Sequence, residues 1–119
     1  MNKDNEKIKG KGGGQPLNSK RKGNAGEREL LSILSEAGKA ERNDQRYIGG
    51  KDNPDISFRH NGKKYHVECK RCEKLSLYEA MEQAIRDANG HATPVVMHRR
   101  NKKPWLVVLR LSDFLQETE

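Results

Sequence analysis

Asn53-Pro54-Asp55-Ile56-Ser57-Phe58-Arg59-His60-Asn61-Gly62-Lys63-Lys64-Tyr65-His66-Val67-Glu68-Cys69-Lys70 decides the fold of this chain, because the stretch contains its own register. Asn-Gly between strand-like runs is the strongest short-range signal for a two-residue type I′ turn, so residues 55 to 60 should pair with 63 to 68. Counting back from the turn, His60 faces Lys63, Phe58 faces Tyr65, Ile56 faces Val67, and Asp55 falls opposite Glu68. Directly opposed residues have Cβ atoms about 4.5 to 5.5 Å apart, and like charges there destabilise a sheet. At an effective dielectric of about 20, two unit charges about 5 Å apart repel by roughly 3 kcal/mol. A divalent cation between them reverses the sign. Alternation places Lys70 on the face of Glu68, and Ile56, Phe58, Tyr65, Val67 and Cys69 on the other. One face is expected to be core and the other to carry chemistry.

Outside this hairpin the chain is polar. Its 119 residues are 32% hydrophobic and 34% charged, with a net charge of +7; typical globular domains are about 45 to 50% apolar and about 25% charged. The length fits one domain with a small core. Much of the excess charge falls in residues 1 to 23, where seven basic side chains (Lys3, Lys7, Lys9, Lys11, Lys20, Arg21, Lys22) outnumber Asp4 and Glu6. This glycine-rich stretch has too few apolar groups to offset the entropy of ordering, so residues 1 to 23 read as a disordered basic arm and residues 24 to 119 as the folded domain. Such an arm can contact phosphates non-specifically or merely solubilise. No apolar run is long enough to span a membrane and no signal-peptide core is present, which leads us to expect a cytoplasmic protein, or one of the host cytoplasm if phage-encoded.

Helical spacing begins after Asn24, a candidate N-cap, and continues through Leu30, Leu31, Ile33, Leu34 and Ala37 to a stop at Gly38. Glu27 shares the edge of the apolar stripe, where a carboxylate is either a first-turn residue favoured by the helix dipole or a functional group. Residues 39 to 48 read as a short polar edge strand, followed by a turn-rich lead through Gly49-Gly50 in which Asp52 is a solvated carboxylate. Ser76 with Glu79 makes a capping box for a helix over about 76 to 89, with Leu77, Ala80, Met81, Ala84, Ile85 and Ala88 as its apolar face. Pro94 to Met97 and Trp105 to Leu111 read as strands covered on both faces or nearly so, joined by a basic turn that is either a solvated tip or a patch for nucleic acid. Ser112 to Gln116 is a final helical turn. Cys69 and Cys72 form a Cys-x-x-Cys, but too few partners are suitably spaced for a zinc site, and Cys69 alternates onto the apolar face.

Glu27, Gly49-Gly50, Pro54-Asp55-Ile56 and Glu68-Cys69-Lys70 together resemble the PD-(D/E)xK nuclease superfamily. The order of elements is most similar to the archaeal-type Holliday-junction resolvases, which also occur in phage-like forms. The likeness runs from about Asn24 to Leu111. It implies an α/β, restriction-endonuclease-like αβββαβ core, with a mixed five-stranded sheet flanked by helices. It also implies that Asp55, Glu68 and the backbone carbonyl of Cys69 ligate Mg²⁺ or Mn²⁺, with Glu27 bound directly or through water, and that Lys70 acts on the attacking water or the transition state. Some branches place a glutamine on the helix after the acidic-x-Lys strand. Gln83 matches it, although the usual aromatic residue four positions on is Asp87 here, and a solvated glutamine is the alternative.

The expected activity is metal-dependent DNA cleavage leaving a 5′-phosphate and a 3′-hydroxyl, on four-way junctions or other branched DNA, by a homodimer. Arg28, Arg46, Lys51, Arg59, Lys64 and Arg71 surround the acidic face on the counted register and are candidate DNA contacts. Phe114 and Leu115 are candidates for a dimer interface or a cap on the sheet. A less selective nicking or replication-repair nuclease, and a nucleic-acid-binding module without chemistry, are the competing readings. The hairpin itself serves nucleases of many specificities.

Overall fold

The computed structural model describes residues 14–43 and 55–117. Arg46, Lys51, Asp52 and the Gly49-Gly50 lead fall outside the described residues, as do residues 1–13. The elements are α1 (Gly14–Ala37), β1 (Lys39–Asn43), β2 (Asp55–His60), β3 (Lys63–Arg71), α2 (Leu77–Ala88), β4 (Thr93–Arg99), β5 (Leu106–Val108) and α3 (Leu111–Glu117). Among the described residues no helix is long and apolar enough to cross a membrane.

The hairpin forms in the counted register: Asp55 pairs with Glu68, Ile56 with Val67, Phe58 with Tyr65 and His60 with Lys63. Asn61 and Gly62 both take positive φ, 54° and 78°, as a type I′ turn requires. β1 adds antiparallel to β2, β4 adds parallel to β3 through the α2 crossover, and β5 closes the sheet antiparallel to β4. The result is a mixed five-stranded sheet in the order β1-β2-β3-β4-β5, flanked by helices. This is the expected α/β restriction-endonuclease-like architecture.

Two cores lie on opposite faces of the sheet. Leu30 and Leu34 of α1 pack on Ile56, Phe58, Val67, Cys69, Val95 and Met97, the apolar side of the hairpin. Each such side chain contributes about 1.5 to 3 kcal/mol by leaving water. The face carrying Glu68 and Lys70 holds apolar contacts as well, as the apolar face of α2 and the run Pro94 to Met97 imply. α2 covers its β3–β4 side with Ala80, Met81 and Ala84 against Val96, a smaller core that alternation along β4 requires.

Other departures have local causes. α1 starts at Gly14, ten residues before Asn24, so Asn24 is inside the helix and the last part of the stretch read as a disordered arm is helical. Once residues 26 to 37 are packed, each added residue costs little, and Lys20, Arg21 and Lys22 are good helix formers; Pro16 stands in the first turn, where its missing N–H is tolerated. Ser76 occupies the N-cap position of α2 with extended backbone, but its side chain makes no capping hydrogen bond. β5 is not covered on both faces. Leu106 and Val107 are each 56% exposed at the sheet edge, while Val108 alone reaches the α2 core.

Gly38 ends α1 for a reason beyond conformational freedom. A Cβ there would collide with the carbonyl oxygen of Arg59 and lie 3.1 Å from the Phe58 ring. The helix therefore turns into β1 with its backbone against β2. His60 Nδ1, 3.0 Å from the carbonyl oxygen of Ala37, ties the same corner.

Candidate active site

Five elements, α1, β1, β2, β3 and α2, converge at the end of the sheet where β2 begins and β3 ends. The turn geometry fixes Asp55 opposite Glu68, and Glu68 is fully buried, at 0% exposure. A buried carboxylate in the central strand of a sheet is costly unless it is compensated. His66, two residues earlier on the same face, places Nε2 3.1 Å from Glu68 Oε2.

Lys70 follows on that face, and α2 fixes its head. Its Nζ donates a 3.1 Å hydrogen bond to Oε1 of Gln83. Gln83 is thus half-buried and engaged, not solvated, because the crossover helix runs back over β3. A neutral amide positions the lysine head without setting an opposing charge against it.

Glu27 approaches from the opposite face. It is 2% exposed, and Arg42 of β1 places Nε 3.0 Å from its Oε1. The adjoining Gly26 sits so close to Arg71 that a Cβ would lie 2.7 Å from Arg71 Cγ, which brings the middle of α1 hard against the end of β3. The electrostatics of Cys69 report the same convergence. Burial, then the Glu27 carboxylate, push its thiol from 9.0 up to about 12, with Lys70 opposing and Glu68 adding to the rise. Cys69 is therefore a neutral core thiol, and no disulfide joins it to Cys72.

The candidate DNA contacts divide into two groups. Arg59 and Lys64 pair across the hairpin on the Glu68 face and are exposed; with Lys39, Glu41 and Ser57 they line a shallow depression on the part of this face beyond α2. Arg28 is exposed on α1. Arg71 instead points to the α1 side, where Nη2 donates to Asn101 Oδ1 at 2.6 Å and Nη1 lies 3.7 Å from Glu73. It does not surround the acidic face, because residue 71 alternates with Lys70. In the basic turn after β4, Arg99 is similarly committed, 2.7 Å from Glu29; Arg100, Lys102 and Lys103 are exposed.

Sequence reasoning missed two members of this region. Arg42, the partner of Glu27, had no local signal. His66 had one, since alternation places residues 66, 68 and 70 on one face.

Comparisons with known proteins bear on the family and the fold. The family model described as "Phage putative PDDEXK endonuclease" matches residues 18–118. A solved structure, Hjc of Archaeoglobus fulgidus, a Holliday junction resolvase from an archaeal hyperthermophile, is similar with a TM-score of 0.55 and 26% sequence identity over 70% of this chain and 72% of that one. No curated protein matches. With the family model spanning all but the first 17 residues and the last, the chain belongs to the phage PDDEXK endonuclease family.

Proposed function

We propose that this endonuclease hydrolyses phosphodiester bonds in branched DNA, four-way junctions above all, with a divalent metal held between β2 and β3. The observation that carries the reading is the Asp55–Glu68 pairing with Lys70 on the same face, held by Gln83. The donor set fits a hard cation: Asp55, the buried Glu68 and the Cys69 carbonyl offer only oxygen, as Mg²⁺ or Mn²⁺ prefers. Such an ion, when bound, supplies Lewis acidity toward the phosphate and a water of lowered pKa.

The protein's own groups do the rest. Glu68, inaccessible to bulk water, holds its carboxylate in one orientation at the ladder position opposite Asp55. Lys70 presents its ammonium where negative charge grows on the phosphate oxygens, a preorganised interaction whose loss costs about 10² to 10³ in kcat. Glu27 has Arg42 on one oxygen and would act directly or through water. Arg59 and Lys64 offer charge to the flanking backbone. Cleavage would leave a 5′-phosphate and a 3′-hydroxyl.

Resemblance in fold and sequence to Hjc supports the junction as substrate, and two symmetric cuts require two copies of the site, hence a homodimer. Phe114 and Leu115, half-exposed on α3, offer apolar surface for it. The test compares a synthetic four-way junction, a flap and a linear duplex, with Mg²⁺ and with chelator. Paired, Mg²⁺-dependent nicks on the junction are expected, and Asp55→Asn or Lys70→Ala should abolish them. Equal cleavage of all three substrates would replace the junction reading with a less selective nicking nuclease.

A further inference from the structure

Glu68 has a second neighbourhood, away from β2. Toward the start of β3, His66 shares its face and is itself only 6% exposed, with Nε2 3.1 Å from Glu68 Oε2. α2 closes over this pair. It presents small residues to the sheet, Ala80, Ala84 and Ala88, all buried, and so approaches β3 closely. On its polar flank, Gln83 reaches Lys70, and one turn later Asp87 reaches the His66–Glu68 pair. One ligand atom from each of His66, Glu68 and Asp87 lies within 4.8 Å of the other two.

Two features separate this cluster from an ordinary surface group of acids. First, an imidazole and a carboxylate are almost wholly buried beneath an alanine-lined helix, where apolar side chains would be the inexpensive choice. Second, the three donors come from two elements and converge on one point. Metal–ligand bonds of about 2.1 Å require donors about 3 to 4 Å apart. The 3.1 Å pair already meets that, and the exposed Asp87 can move the small remaining distance. Its exposure also leaves the cluster open to ions from solvent.

We propose that His66, Glu68 and Asp87 form a second divalent-cation site, adjacent to the hairpin position and sharing Glu68 with it. Its donor chemistry differs from that of the hairpin. An imidazole nitrogen favours Mn²⁺ or Zn²⁺ over Mg²⁺, whose ligands are oxygen. Glu68 would belong to both positions, with Asp55 in one and His66 in the other. The proposal uses Glu68 as the functional reading does, but does not depend on DNA cleavage.

The test uses the full chain without DNA. Mn²⁺ binding is followed by the electron paramagnetic resonance signal of the free ion, and Zn²⁺ binding by the ring-nitrogen resonances of the histidines. Asp87→Asn and His66→Gln should each weaken one Mn²⁺ equilibrium by at least about tenfold while leaving a second, and Asp55→Asn should do the converse. Zn²⁺ should shift the His66 ring signals and spare those of the exposed His91. Asp87 is exposed, so its variant folds even if His66→Gln does not. Mn²⁺ binding by Asp87→Asn indistinguishable from the unaltered protein, or His66 signals unmoved by Zn²⁺, overturns the proposal. Normal binding by Asp55→Asn with weakened binding by Asp87→Asn would instead remove the hairpin metal and keep this site.

Discussion

At the scale of single residues, Cys69 and Gly26 show how closely the site is built into the core. The Cys69 thiol, raised to about 12 by burial and by Glu27, stays protonated through the pH range in which an ordinary thiol ionises. Iodoacetamide at pH 8 to 9 should therefore alkylate the half-buried Cys72 and spare Cys69, as read by peptide mass spectrometry; rapid labelling of both would contradict the buried neutral thiol. Gly26→Ala sets two effects against each other. Alanine gains about 1 kcal/mol of helix propensity, whereas the new Cβ meets Arg71 Cγ at 2.7 Å and overpacking costs about 1 to 3 kcal/mol. The obstructing atoms belong to the base of the Arg71 side chain and cannot swing away, so the net effect should be a loss of stability in urea denaturation. A gain would mean that α1 can lift off β3.

At the scale of elements, the parts with local codes were legible in the sequence. Asn61-Gly62 set the β2–β3 register to the residue, and the spacing of Leu77, Ala80, Met81, Ala84 and Ala88 marked α2. What escaped was tertiary. Nothing local shows that Arg42 would meet Glu27, that Gln83 would meet Lys70, or that Arg71 would turn toward α1, since each depends on how a helix crosses the sheet. Ser76 illustrates the reverse error: the capping-box pattern is present, but the hydroxyl makes no cap bond. Ser76→Ala should accordingly change stability by less than about 0.5 kcal/mol in thermal or urea unfolding, against about 1 kcal/mol for a working cap. Exposure misled at β5, where an apolar run reads as buried although the sheet ends there.

At the scale of the whole molecule, the net charge of +7 is unevenly placed along the sequence. Lys3, Lys7, Lys9 and Lys11 precede the start of α1, and Lys20, Arg21 and Lys22 fall within its first half. Removal of residues 1 to 13 should leave the fold intact and flatten the salt dependence of DNA affinity, the slope falling by about 0.9 for each phosphate that is no longer neutralised. Binding isotherms at several salt concentrations read this directly. An unchanged slope would assign phosphate binding to the folded domain alone, with Arg59 and Lys64 the first candidates.

The two-residue turn at Asn61-Gly62 has a consequence for how this enzyme can change over generations. A single insertion there that was not absorbed as a three-residue loop would slip one strand by one position and invert every side chain beyond it. Asp55 would leave Glu68, and Ile56 and Phe58 would simultaneously leave the α1 core. Misalignment of the chemistry is thus inseparable from loss of the fold, and off-register variants are removed as unfolded protein before they can persist as inactive enzyme.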